Sequence, residues 1–246
     1  MLALLRCVII FFYFISINLV LILVCLVRPF HRDNVFIASR LYSSIAYILG
    51  LKIELRVPAS VKSGGPFVFL ANHQNSYDLI TVCAGVVKGT VSVGKKSLVW
   101  IPLFGQVYWL SGNILIDRKN TGSSRSTLEK TAQKIIKRRL SVWFFPEGTR
   151  SYGRGLLPFK TGAFRIAAAS KVPIVLVSAS ELDKKIKLNR WSNGTLLIEL
   201  SEPELMDETK KMKQNVEYFH QKMGDTIKKL NTELANTSKT NSTPAG

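Results

Sequence analysis

Residues 67–78 read FVFLANHQNSYD, an apolar, aromatic-rich run followed at once by polar residues. Such a run is typical of a buried β-strand. His73 and Asp78 stand directly after it, five positions apart. Ligands of α/β proteins bind beyond the carboxyl ends of their strands. The stretch therefore predicts a buried strand that delivers a histidine and an aspartate to the functional edge of a sheet.

Further short runs of β-branched and aromatic residues recur along the chain. They cover residues 53–57, 91–93, 114–116, 142–145, 174–177 and 196–200. Helical patterns lie between several of them, at residues 126–140 and 161–169, where Thr161 is a possible N-cap. Strands that alternate with helices predict an α/β domain over residues 52–234, with a mostly parallel sheet of roughly seven strands flanked by helices. Within it, residues 204–234 predict one polar C-terminal helix or a pair of helices.

The N-terminal segment, residues 1–51, has a different character. Residues 7–27 carry no charge, and as a helix they would extend about 31 Å, close to the thickness of a bilayer's hydrocarbon core. Residues 36–51 predict a second, amphipathic helix. We expect the pair to anchor the protein in a membrane. A buried helix of a soluble protein and a second helix packed on the domain are the alternatives. Residues 235–246, rich in Thr, Ser and Asn, predict a disordered tail.

The chain of 246 residues carries 34 Lys and Arg against 16 Asp and Glu, a formal charge of +18. This excess predicts an anionic partner, such as anionic membrane lipid, a phosphorylated small molecule or nucleic acid. The three cysteines, Cys7, Cys25 and Cys83, have no metal-ligand spacing, which argues against a disulfide framework and a metal site. We interpret Cys83 as a packing residue.

His73 and Asp78, which follow the apolar run at residues 67–70, are suited to proton transfer. Asp78 could fix the tautomer of His73, which would then accept a proton as a general base. A structural histidine beside a helix cap is the alternative. Two other strand ends are polar: GNILIDR at 112–118 ends in Asp117 and Arg118, and VWFFPEGTR at 142–150 places Gly148 and Arg150 where a tight turn could present donors to an anion. A phosphate-bearing substrate is the natural inference.

Four motifs, in order, resemble those of the glycerolipid acyltransferase family. NHQNSYD resembles its HX4D block, GNILIDR its second block, FPEGTRS its third and VPIV at 172–175 its fourth. The linking stretches GKKSLVWIPLFGQVYWLSG and GRGLLPFKTGAF are similar to bacterial members that acylate lysophosphatidic acid. The resemblance covers roughly residues 40–200. Leu176 departs from the family pattern, which often has a second proline in the fourth block.

The resemblance implies acyl transfer from acyl-CoA or acyl carrier protein to the sn-2 hydroxyl of 1-acyl-sn-glycerol 3-phosphate (lysophosphatidic acid), which gives phosphatidic acid. It implies His73 as the general base and Asp78 as its orienting partner. Arg118, Glu147, Gly148 and Arg150 would hold the phosphate and glycerol of the acceptor, and Lys95 would steady the developing oxyanion. No cofactor or metal is expected.

The resemblance also implies a bacterial inner-membrane enzyme with its catalytic domain on the cytoplasmic face and no nucleic acid partner. Two alternatives stay open. The acceptor could be glycerol 3-phosphate or another lysolipid, or the chain could be a nonenzymatic basic protein that binds membranes.

Overall fold

A computed structural model describes residues 1–117, 131–133 and 135–240 of the chain. Its centre is a seven-stranded sheet, and each strand lies on one of the apolar runs predicted from the sequence. The strands are β1 (Lys52–Arg56), β2 (Val68–Ala71), β3 (Thr90–Lys95), β4 (Ile114–Ile116), β5 (Ser141–Phe144), β6 (Ile174–Ala179) and β7 (Thr195–Leu200). Every residue of β2, β5 and β6 is buried. These central strands are apolar throughout because other elements cover both faces of the sheet.

The strand order is β1-β7-β6-β2-β5-β3-β4. All neighbouring strands are parallel except β6 and β7, which are antiparallel. The strands from β6 to β4 in this order therefore run in the same direction and end at one edge of the sheet. The predicted α/β fold with a mostly parallel sheet is confirmed. Its consequence is that the polar residues after β2, β4 and β5 are brought to a common edge.

The α-helices with described bounds are α1 (Leu2–Val27), α2 (Asn34–Ser43), α3 (Ile45–Ile48), α4 (Ala59–Lys62), α5 (Phe104–Leu110), α6 (Gly162–Ser170) and α7 (Met212–Thr240). Short 3₁₀ helices cover Ser76–Leu79, Val82–Gly85 and Lys96–Trp100. Within the region predicted as a helix over 126–140, residues 131–133 and 135–138 are helical. The remainder of that prediction up to residue 130 lies outside the described residues.

The N-terminal helix α1 is long and apolar enough to cross a membrane, as the sequence predicts. One face of α1 packs against α2, α3 and α5, and together they form a hydrophobic cluster separate from the core of the sheet domain. The buried members are Ile17, Leu21, Ala38, Tyr42, Ile45, Phe104 and Val107. The Tyr42 hydroxyl donates to Asn18 Oδ1 at 2.9 Å, which satisfies a polar group in the middle of α1. The predicted second helix is divided at Ser44 into α2 and α3, and it lies between α1 and the sheet domain.

Thr161 is the N-cap residue of α6, as predicted, but it lacks a cap hydrogen bond, and both ends of the C-terminal helix differ from the prediction. Thr161 precedes α6 but makes no side-chain cap hydrogen bond, because it already has helical backbone angles. The C-terminal helix is single and begins at Met212, not at residue 204, because Glu204 forms an antiparallel bridge with Ile174 at the start of β6. It continues to Thr240, into the first six residues of the segment predicted to be disordered. There the Thr237 hydroxyl donates to the carbonyl of Glu233, one turn earlier.

Candidate active site

Five parallel strands, β2 to β6, end at the predicted functional edge of the sheet. The parallel registers place Val68, Val142 and Val91 level with one another. Lys95 of β3 lies four residues after Val91, and Asn72 lies four residues after Val68. Lys95 is therefore level with Asn72, one position before His73. Because β5 lies between β2 and β3, these two strands are about 9.6 Å apart. Asp117 follows β4 at the same edge. The predicted site residue Arg118 lies outside the described residues.

His73 and Asp78 form the predicted pair. His73 Nδ1 lies 2.6 Å from Asp78 Oδ2, and the Asp78 side chain is 2% exposed against 19% for His73. A carboxylate accepts hydrogen bonds, so it selects the tautomer with the proton on Nδ1. His73 Nε2 makes no hydrogen bond with the described residues and is therefore available to accept a proton. This is the arrangement that a general base requires.

The loop between the two residues folds tightly around the carboxylate. Asp78 Oδ2 also accepts the backbone N–H groups of Gln74 at 2.7 Å and Asn75 at 3.2 Å. Asn75 caps the 3₁₀ helix Ser76–Leu79 by accepting the N–H of Tyr77, and Asp78 completes a capping box. The cap brings Asp78 back to the histidine five positions earlier. Structural capping and orientation of the imidazole, which the sequence left as alternatives, are thus performed by the same carboxylate.

Two neighbours of His73 attach this loop to β6, and sequence reasoning assigned neither of them. The Asn72 side chain exchanges two hydrogen bonds with the backbone of Ala179, at 3.1 and 2.9 Å. The Gln74 side chain donates to the carbonyl of Ser180 at 2.8 Å and accepts the N–H of Leu182 at 2.7 Å. The available signal was the unusual run of amides on either side of the histidine. These bonds fix the backbone on both sides of the imidazole.

Phe145, the residue after β5, stacks on the imidazole. The ring centroids of His73 and Phe145 are 4.0 Å apart with an interplanar angle of 21°. The stacked ring and the Asp78 carboxylate together restrict rotation of the imidazole about its side-chain bonds. A restrained imidazole keeps Nε2 directed at one position of the site.

Glu147 is buried after β5 and binds two backbone N–H groups. It is 3% exposed, and its two oxygens accept the backbone N–H groups of His73 at 2.6 Å and Leu157 at 2.9 Å. Burial raises the pKa of its carboxyl, and these two hydrogen bonds oppose the rise. Both oxygens of the carboxylate are therefore engaged with backbone donors. It attaches the segment after β5 directly to the histidine.

Gly148 closes a tight turn after β5. Its N–H donates to the carbonyl of Phe145 at 3.0 Å, and its φ is +72°. A Cβ at this position would lie 2.9 Å from the flexible end of the Lys160 side chain, which can move away, so it is the backbone angle that favours glycine here. The tight turn predicted from the sequence is present.

Arg150 lies on the exposed side of the segment that follows this turn. The N–H groups of Ser151 and Tyr152 donate to the carbonyls of His73 and Gln74, both at 2.8 Å. Arg150 Nη1 donates to the Tyr152 hydroxyl at 3.2 Å. The guanidinium holds the pKa of the Tyr152 phenol below its usual value. The backbone next to Arg150 is thus held beside the histidine, and its exposed guanidinium is available to bind a substrate anion there. Tyr152 was not predicted.

The chain is similar to several known proteins. Residues 52–180 match the family model described as Acyltransferase, and these residues contain the strand ends described above. The 1-acyl-sn-glycerol-3-phosphate acyltransferase of Salmonella typhimurium is 49% identical over 179 residues, 73% of each chain. The chain belongs to the acyltransferase family. The enzyme of the same name from Haemophilus influenzae is 44% identical over 213 residues, 85% of this chain and 88% of its own.

The fold of the acyltransferase family is also found in a solved structure. The crystal structure of a 1-acyl-sn-glycerophosphate acyltransferase from Thermotoga maritima matches 91% of this chain and 97% of its own, with a TM-score of 0.64 and 22% identity. Among the described residues, no group of three or more His, Cys, Asp and Glu side chains could hold a metal ion.

Proposed function

We propose that the protein transfers a fatty acyl group from a thioester, acyl-CoA or acyl carrier protein, to the sn-2 hydroxyl of 1-acyl-sn-glycerol 3-phosphate and so makes phosphatidic acid. The observation that carries the proposal is the His73–Asp78 pair at 2.6 Å at this edge of the sheet, where Nε2 makes no hydrogen bond to the described residues. The names of the similar bacterial proteins support this acceptor. Membership of the acyltransferase family supports acyl transfer, and the geometry of the His73–Asp78 pair supports direct transfer to a hydroxyl.

In the proposed reaction, His73 Nε2 removes the proton of the acceptor hydroxyl as its oxygen attacks the thioester carbonyl. Asp78 stabilises the imidazolium that forms. The tetrahedral intermediate then collapses, the carbon–sulfur bond breaks, and the proton on Nε2 passes to the departing thiolate. A thioester is already activated, so no acyl-enzyme is needed. A positioned base contributes typically about 10² to 10⁴ in rate.

The acceptor phosphate is proposed to bind Arg150, with Arg118 as a second cation and Lys95 at the developing oxyanion. Exposure of Arg150 beside the histidine loop supports the first assignment, and the register of β3 supports the third. Glu147 is proposed as a positioning residue, because both its oxygens hold backbone N–H groups and one of these belongs to His73. Gly148 permits the turn that places Glu147 and Arg150.

We further propose that α1 lies in one leaflet of a bacterial inner membrane, with the domain on the cytoplasmic face. Near the start of α1, Arg6 donates to the carbonyls of Leu188 at 3.0 Å and Trp191 at 2.9 Å, and also to that of Arg190. Just beyond its other end, the Phe30 N–H donates to Leu110 O at 2.9 Å. A helix held by one domain at both ends cannot place those ends on opposite sides of a bilayer.

A panel of acceptors tests the proposed function. Purified full-length protein is given oleoyl-CoA with lysophosphatidic acid, glycerol 3-phosphate or monoacylglycerol, and released thiol and acylated lipid are both measured. We expect stoichiometric thiol and phosphatidic acid with the first acceptor and much slower reaction with the others. Preferred acylation of monoacylglycerol would exclude a phosphate-specific site. Absence of thiol release with all three and with acyl carrier protein donors would favour a nonenzymatic membrane-binding protein.

A further inference from the structure

We infer that the loop of residues 184–191 is a binding surface for anionic lipid headgroups, next to the N-terminal end of α1. The loop reads KKIKLNRW and joins β6 to β7. Four of its residues are exposed cations, Lys184, Lys185, Lys187 and Arg190. None of the four forms an ion pair with a residue in the described part of the chain. The inference concerns membrane contact and does not depend on the proposed reaction.

The loop also carries an exposed aromatic side chain. Trp191 is 78% exposed although it is the largest apolar residue of the segment. Tryptophan prefers the headgroup region of membranes, where its apolar ring and polar N–H are both accommodated. Cations beside an exposed tryptophan form a surface that matches the charge and the layered polarity of an anionic bilayer.

The position of the loop is fixed, and it is fixed to the apolar helix. Arg6 is 5% exposed and donates to three carbonyls of the loop, while the N–H of Ala3 donates to Asn189 Oδ1 at 2.9 Å. On the other side, Asn193 Oδ1 accepts the N–H of Lys187 at 2.9 Å, and its Nδ2 donates to Leu49 O at 2.7 Å. The backbone that carries the cations is therefore hydrogen-bonded to α1 on one side and to Asn193 on the other.

The surface of α1 next to the loop is apolar and exposed, as expected of a surface that enters a membrane. Its first turns expose Leu4, Leu5, Val8 and Ile9, with exposed fractions of 72, 55, 46 and 42%. The nearest preceding acid, Asp183, is directed elsewhere: a Cβ on Gly153 would lie 2.5 Å from its Oδ2. If this apolar face enters the acyl region, the loop attached to it reaches the headgroups. Each cation near an anionic surface should then increase affinity by about fivefold.

Lysine acetylation on full-length protein in lipid nanodiscs tests the contact directly. Discs of pure phosphatidylcholine are compared with discs containing phosphatidylglycerol, and acetylation at each lysine is followed by mass spectrometry. We expect Lys184, Lys185 and Lys187 to react at least about fivefold more slowly in the anionic discs, with recovery at high salt. Lys62 and Lys171, before the amino ends of β2 and β6, should react equally in both. Equal rates at the loop lysines would overturn the inference.

A pair of charge-matched variants gives an independent test. One variant changes Lys184, Lys185, Lys187 and Arg190 to Gln. The control changes the same number of exposed lysines, Lys62, Lys171, Lys211 and Lys213, to Gln. Each protein is offered equal amounts of phosphatidylglycerol-containing and phosphatidylcholine vesicles. We expect the loop variant to lose its preference for anionic vesicles by at least about tenfold, while the control keeps most of it.

Equal losses in the two variants would mean that only total charge matters, and the loop would not be a site. A second outcome also overturns the inference. If the loop lysines stay reactive on anionic discs but are protected by an acidic acyl carrier protein, the surface binds the donor protein. Neither readout requires turnover. A failure of the acyl-transfer proposal would therefore leave these results interpretable.

Discussion

Replacement of Asp78 by asparagine separates two roles of this carboxylate, fixing the tautomer of His73 and stabilising its positive charge. Asp78 Oδ2 accepts three donors, His73 Nδ1 and the N–H groups of Gln74 and Asn75. Asp78 Oδ1 is buried and has no partner among the described residues. An asparagine can present either its oxygen or its NH₂ group to this cluster of donors.

The two backbone N–H groups select the orientation. An inward NH₂ group would leave both of them unpaired, at about 1–3 kcal/mol each, so the oxygen should face inward and keep the proton on His73 Nδ1. What is lost is the negative charge that supports the imidazolium in the transition state. A hydrogen bond to a charged group exceeds a neutral one by about 1–1.5 kcal/mol. We therefore expect Asp78→Asn to lower kcat about tenfold.

The assay is release of thiol from oleoyl-CoA with lysophosphatidic acid, with circular dichroism to confirm folding. The matched control is Asp225→Asn, an exposed aspartate on α7, which should leave kcat unchanged. Asp78→Asn in a His73→Ala background should cost little more, because Asp78 acts through His73. A loss near the 10⁴-fold that a wrong tautomer causes in catalytic triads would refute the orientation argument. Unchanged turnover would refute the dyad itself.

Other substitutions test the remaining parts of the site. Glu147→Gln places an NH₂ group against the N–H of His73 or Leu157, so it should lower kcat and destabilise the fold by about 1–3 kcal/mol, seen as a lower Tm. Because burial raises the pKa of Glu147, wild-type stability should fall as pH rises from the ordinary glutamate pKa to the raised one, and the variant should lack that slope; an identical slope would contradict this. Arg150→Ala should raise KM for lysophosphatidic acid by about 10- to 150-fold and leave KM for the acyl donor unchanged, with only partial rescue by lysine; a donor-side effect would reverse the placement. Cys83→Ala should retain kcat, and the wild-type thiol should resist alkylation near pH 8 because burial raises its pKa; inactivation by iodoacetamide with protection by substrate would argue otherwise.

The strands could be predicted because their signal is local. Each of the seven strands lies on a short β-branched or aromatic run, and burial of both faces of β2, β5 and β6 explains why these runs contain no alternating polar residues. The start of α7 could not be predicted this way. The local sequence around Glu204 predicts a helix, but the backbone of Glu204 pairs with Ile174. This contact depends on the position of β6.

In the site, contacts between residues close in sequence could be predicted, whereas contacts that depend on the tertiary structure could not. His73 and Asp78 are close in sequence, and a capped turn between them is enough to join them. The carboxylate of Glu147 binds backbone N–H groups, and the identity of a residue does not reveal which backbone donors will lie near it. Asn72 finds Ala179 only because β2 and β6 are neighbours in the sheet. Likewise, the apolar pattern of α1 indicates a membrane span, whereas its attachment through Arg6 to the loop before β7 is visible only in three dimensions.

The rate of acyl transfer by His73→Ala tests the general-base assignment most directly. The variant should remain folded and membrane-bound, because the imidazole contributes one stacked ring and one side-chain hydrogen bond, while the loop backbone is held by Asn72, Gln74 and Glu147. With saturating oleoyl-CoA and lysophosphatidic acid, we expect thiol release at least about 10²-fold slower than in the wild type. Turnover within a few-fold of the wild type, in a protein with unchanged Tm, would contradict the account.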